Sequence, residues 1–170
     1  AGQYWGQRVA PNNETDTWIT TALSDAYAAY YIRASFGQEE HEKRMLGVRD
    51  ILENPKEKDG TWKKLDAETR TYSPAGATRL SDVPQKFRSD YAFFVISEML
   101  RLQIGNQAYF SALEQLSSLE RVNTETFQRI FEQNAKQPLD DFFDYWIYGG
   151  YIPSIEATIR HGEEESFLCV

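Results

Sequence analysis

Apolar positions recur at helical spacing along most of the chain. Trp18, Ala22, Ala26 and Ala29 share one face, and Ile19, Leu23 and Tyr30 share the next. Capped by Thr15 or Asp16, they predict a long helix to about Ser35, ended by Gly37. Gln38 to Glu53 reads as a second, highly charged helix, stopped before Pro55. From Pro84 the pattern returns, with Phe87, Tyr91, Phe94, Val95 and Met99 on one face as far as about Gln103. Gly105 breaks the chain, and Gln107 to Leu119 follows with Phe110, Leu113 and Leu116 as its apolar positions. Asn123 or Thr124 caps a helix with core face Phe127, Ile130 and Phe131. Pro138 opens the last helix, whose stripe is Leu139, Phe142, Phe143, Trp146 and Ile147, closed by Gly149 and Gly150.

After Pro153 the period changes to two. Ser154 to Arg160 and Ser166 to Val170 read as short strands about a turn at residues 161–165. Residues 56–82 have no clean period and read as a surface loop. The expected fold is mainly α: an irregular bundle of about six or seven helices with a short β-hairpin at the C-terminus. Residues 1–153 form the helical part, and 154–170 a short β segment at the start of a further sheet.

Composition narrows the function. At 170 residues one core is expected, and the 14% aromatic share fills it with Tyr and Phe. Eighteen basic against 26 acidic residues leave a formal charge of −8, which opposes phosphate backbones and anionic lipid, so nucleic acid is not an expected partner. No apolar run approaches the ~20 residues of a spanning helix, so membrane insertion is not expected. The single cysteine, Cys169, excludes an intrachain disulfide.

Two words near the start carry the candidate chemistry: Gln3-Tyr4-Trp5-Gly6, and Trp18-Ile19-Thr20-Thr21-Ala22-Leu23. Further words follow in order: Tyr91 to Arg101, then Ile104-Gly105-Asn106-Gln107-Ala108-Tyr109-Phe110, Thr124-Glu125-Thr126-Phe127, and Leu139 to Gly149. Together they resemble the carboxy-terminal helical half of the gluzincin aminopeptidases, the family of aminopeptidase N. In that family two histidines and a glutamate of an H-E-x-x-H helix act with zinc. The second histidine directly precedes the first word, and a glutamate ligand lies nineteen residues after it in the second. The resemblance places that histidine at Gly2 and the glutamate at Thr21, neither of which offers a zinc donor of the required kind. The first histidine and the catalytic glutamate fall upstream of Ala1. Asp25 lies one turn beyond Thr21 on the same face, and the family's transition-state tyrosine falls near Asp90 or Tyr91.

The resemblance therefore implies a peptidase-like chain with a degenerate metal site at Gly2 and Thr21, inactive alone and without a cofactor, although active relatives hold zinc. Tyr4, Trp5, Trp18, Asp25 and Tyr91 would wall the cleft. The partners implied are the upstream peptidase domain of a parent protein, and a peptide or protein. One alternative is a part of an active zinc metallopeptidase whose H-E-x-x-H lies upstream, and another is a helical interaction module.

Plainer readings stand beside these. Tyr4, Trp5 and Trp18 serve equally as core packing at a helix junction, and Asp25 as a solvated or capping carboxylate. His41-Glu42 begins a zincin word, but Met45 breaks it, leaving an exposed charged helix. His161 belongs to a solvated turn and Cys169 is a buried structural thiol. Trp146 and Tyr148 anchor the last helix. No nucleophile elbow or phosphate-cradling glycine loop is present.

Overall fold

The computed structural model describes residues 4–53, 85–149, 158–161 and 166–169. The Asn13 side chain accepts from the backbone N–H groups of Thr15 and Asp16, seating a short 3-10 turn (Glu14–Asp16) that runs into α1 (Thr17–Phe36). Asp16 itself makes no side-chain bond to α1. Trp18, Ile19, Thr20, Ala22, Leu23, Ala26 and Ala29 are buried, so α1 is covered on more than one side and forms the centre of the bundle. Ala26 and Ala29 are small enough to admit Val48 of α2 (Gln38–Glu53) and Phe93 of α3 (Gln85–Phe94) into a compact cluster. Gly37 makes the turn from α1 to α2 at φ 93°, ψ 176°, a conformation open essentially to glycine alone.

α3 does not end where its hydrogen-bond pattern changes. It continues through a six-residue π turn, Val95–Leu100, into α4 (Arg101–Ile104). The i→i+5 bonding of the turn shifts the helical register. The expected face therefore changes: Tyr91, Ala92, Phe93, Val95, Ile96 and Leu100 are buried, whereas Phe94 and Met99 are only partly covered. Phe87 lies outside the residues whose side chains are described.

Gly105, at φ 81°, turns the chain into α5 (Asn106–Ser117). Phe110 was expected inward, but Tyr109 takes the core place; Phe110 is about half exposed and meets Tyr30 edge-on, ring centres 5.5 Å apart. Two two-residue strands, β1 (Ala10–Pro11) and β2 (Arg121–Val122), pair in parallel, a contact too short to leave a period in the sequence. α6 (Thr124–Ala135) starts at Asn123, whose side chain accepts from the Thr126 N–H at 2.9 Å, and buries Phe127, Ile130 and Phe131 as expected.

The last helix starts at Asp140 rather than Pro138. Glu132 accepts from the Leu139 N–H at 3.0 Å and holds the chain just before α7 (Asp140–Phe142). A second π turn, Phe143–Gly149, completes this rod, with Leu139, Phe143 and Ile147 buried. Strands β3 (Thr158–His161) and β4 (Ser166–Cys169) pair antiparallel, Thr158 opposite Cys169. His161 thus ends a strand instead of sitting in the turn. The loop expected at 56–82, Gly150, Pro153 and the outer ends of the two expected strands lie outside the described residues. The fold is mainly α, with six helical rods among the described residues.

Candidate functional site

Gly2 lies outside the described residues; Thr21 sits on α1 with its hydroxyl donating to the Thr17 carbonyl at 3.1 Å. Thr20 does the same at 3.1 Å, and Ser24 donates to the Thr20 carbonyl at 2.8 Å. Short hydroxyl side chains return to the backbone of their own helix in this way, which turns the polar atoms away from any external ligand.

One turn on, Asp25 faces α2. Its carboxylate lies 3.6 Å from the Arg44 guanidinium, which also stacks over the Phe93 ring at 5.5 Å. These two residues, with Gly47, Val48, Ile51, Ser89 and Asp90, line an open cleft of about 630 Å³ between α1, α2 and α3. Asp25 is thus neither solvated alone nor a cap; it is half of an ion pair at the cleft wall.

The other candidate wall residues do not converge there. Tyr91 is buried and its hydroxyl donates to the Trp146 carbonyl at 3.2 Å, tying α3 to the last rod. Tyr4 donates to the Ser117 carbonyl at 3.0 Å from a partly exposed position. Trp5 is buried edge-on to both Tyr4 and Tyr27. Trp18 is buried against Phe127, and its Nε1–H donates to Thr124 Oγ1 at 3.2 Å. Of the five, only Asp25 lines this cleft; Trp5, Trp18 and Tyr91 are buried in the core, and Tyr4 lies partly exposed against Ser117. Trp146 leans on the core as an anchor, but Tyr148 is 43% exposed.

The donor set does not fit zinc. Thr21 offers a neutral hydroxyl already engaged by its own helix, and among the described residues no three His, Cys, Asp or Glu side chains are grouped to hold a metal.

A second polar group lies one turn further along the contact of α1 with α2 and was not expected from the sequence. His41 was expected on an exposed charged face; it is 5% exposed. The reason is the crossing of α2 over the small Ala29, whose carbonyl lies 3.3 Å from His41 Nδ1. His41 Nε2 faces Glu98 Oε1 at 3.9 Å. The other Glu98 oxygen accepts from Arg101 at 2.7 Å, and Arg101 also donates to the Ser97 carbonyl at 3.0 Å and to Asn106 at 2.7 Å. Tyr30 donates to that same Ser97 carbonyl at 3.1 Å. Burial pushes the Tyr30 hydroxyl up to about 12, outweighing the opposing pull of Tyr109 and Arg101; burial also raises Tyr109 well above the ordinary tyrosine range. The one sequence signal of this network was Ser97-Glu98 inside an otherwise apolar helical run, with Arg101 one turn later.

Fold and site together define a mainly α protein with an open, mixed-charge cleft beside a buried tyrosine–carboxylate–histidine network. No protein-family model, curated protein or solved structure matches the chain. No helix among the described residues is long and apolar enough to cross a membrane.

Proposed function

We propose that the chain is the helical half of a gluzincin-like peptidase domain that builds no zinc centre, and that it does not hydrolyse peptides by itself. The supporting observation is the state of α1 at the ligand position: the Thr21 hydroxyl bonds to Thr17, and the nearest carboxylate on that face, Asp25, is paired with Arg44. Restoring a ligand there means breaking an ion pair and turning a side chain away from its own helix. The motif words shared with the aminopeptidases supply the family half of the reading. Calorimetric titration with zinc is expected to show no stoichiometric binding, and an aminoacyl reporter no turnover. One tightly held zinc per chain, lost on Asp25→Asn or Thr21→Ala, overturns the proposal.

A second reading, a helical interaction module, draws on the aromatics left outside. Tyr27, Tyr31, Phe36 and Phe110 are between 37% and 66% exposed, and Tyr31 and Phe36 touch each other rather than the core.

A further inference from the structure

His41 is placed where a neutral imidazole cannot satisfy both of its neighbours. A neutral ring carries one N–H, yet both groups facing its nitrogens are acceptors: the Ala29 carbonyl at Nδ1 and a Glu98 carboxylate oxygen at Nε2. That Glu98 oxygen is buried and accepts no hydrogen bond. Only the doubly protonated ring gives each neighbour a donor, and its charge faces the Glu98 carboxylate across 3.9 Å.

The geometry points to a proton-operated latch: His41 of α2, gaining its second proton, clamps α2 onto the Ala29 carbonyl of α1 and onto Glu98 of the π turn. Arg33 of α1 stands one turn beyond Ala29, and the following charged groups have partners of their own. Arg101 of α4 holds the second Glu98 oxygen, Asp25 of α1 is with Arg44 of α2, Glu39 and Glu40 pair with Lys43, and Glu42 accepts from Gln38. Tyr30 of α1, near Glu98, stays a neutral donor far above neutral pH.

The latch matters because α2 buries few apolar side chains of its own. Val48 is its one buried apolar side chain among the described residues, helped by the partly buried Met45, Ile51 and Leu52. Arg44, Gly47, Val48 and Ile51 are also one wall of the cleft, so release of α2 loosens that wall. Protonation of the ring therefore closes the cleft wall, and loss of the proton frees it.

Amide exchange of the whole chain, measured at about pH 5.5 and about pH 8 and corrected for intrinsic chemistry, tests this. Protection of the α2 amides is expected to fall by about tenfold or more at the higher pH, while α5 and α6 hold theirs. His41→Gln is expected to remove the pH dependence, and so is Glu98→Gln, whose amide donates to a neutral ring. Nitrogen NMR of the wild-type ring reads the same event without a variant, as loss of the Nε2 proton on raising pH. Equal α2 protection at both pH values, pH dependence retained in a folded variant, or a single neutral tautomer at pH 5.5 overturns the latch.

Discussion

Asp16 joins the start of α1 to the start of α6 across 108 positions of sequence, and its removal gives a calculable loss. The side chain is 4% exposed. One oxygen accepts from the Thr124 N–H at 2.9 Å and from the Thr124 hydroxyl at 3.0 Å; that hydroxyl in turn accepts from Trp18 at 3.2 Å. In Asp16→Ala the Thr124 N–H, one of the orphan donors of a helix N-terminus, loses its acceptor, worth roughly 0.5–2 kcal/mol. The buried hydroxyl proton loses its acceptor as well, at roughly 1–3 kcal/mol. Asn123 still caps the Thr126 N–H, so the helix itself survives. The expected net loss is about 2–4 kcal/mol, seen as a fall in Tm of roughly 5–12 °C for a chain of this size. Asp16→Asn keeps an acceptor oxygen in place and is expected to lose less than about half as much. Thermal unfolding followed by circular dichroism measures both. If Asp16→Ala unfolds within about 0.5 kcal/mol of wild type, or Asn is as damaging as Ala, the bridging role assigned to Asp16 is wrong.

Alkaline stability follows from the buried tyrosines. Their hydroxyls titrate higher in the folded chain than at the unfolded value of 10.0, so the folded state keeps its protons longer. That stability is whole below pH ~10 and falls as pH rises above it, for Tyr30 until about 12, by up to about 1.4 kcal/mol per pH unit; urea unfolding at several pH values should show a shallower fall in Tyr30→Phe. Gly47 lies within α2 with nothing within 4 Å of an added Cβ, so Gly47→Ala is expected to stabilise by about 0.5–1 kcal/mol, and a lowered denaturant midpoint would contradict this. Gly105 has equal space but stands at φ 81°, ψ 157°, so Gly105→Ala is expected to lower stability by about 1–3 kcal/mol by the same measurement.

What the sequence showed in advance was whatever local chemistry decides. The bounds of α2, the stop at Gly37, the break at Gly105 and the Asn123 cap each depend on a residue and its immediate neighbours, and each stands where expected. The misses share another origin. Phe110 faces outward because Tyr109 fits the core better, which only the packed partners Tyr30 and Phe131 decide. The β1–β2 pair joins residues more than a hundred positions apart with two residues on each side. The π turn interrupts a perfectly good helical period, and the carbonyl of Ser97 within it takes side-chain donors from Tyr30 and Arg101. His41 looked solvent-facing among five charged neighbours, and the crossing of α2 over Ala29 buried it.

These misses also locate where chemistry can reside. Along α1 the buried polar contacts sit at its two ends: Asp16 and Trp18 at its start, through Thr124, and Ala29 and Tyr30 towards its end, through His41 and Ser97. Both are tertiary contacts between distant segments, so they hold the fold and are not available to an outside ligand without unfolding part of it. Between them, the hydroxyls of Thr20, Thr21 and Ser24 are bonded to the backbone of their own helix. Position 21 is therefore a place where side-chain identity and fold stability are weakly coupled. Thr21→Ala is accordingly expected to change stability by no more than about 0.5 kcal/mol, since the helix keeps every backbone bond when the hydroxyl leaves. A larger loss in chemical denaturation would mean that Thr21 has a structural duty of its own.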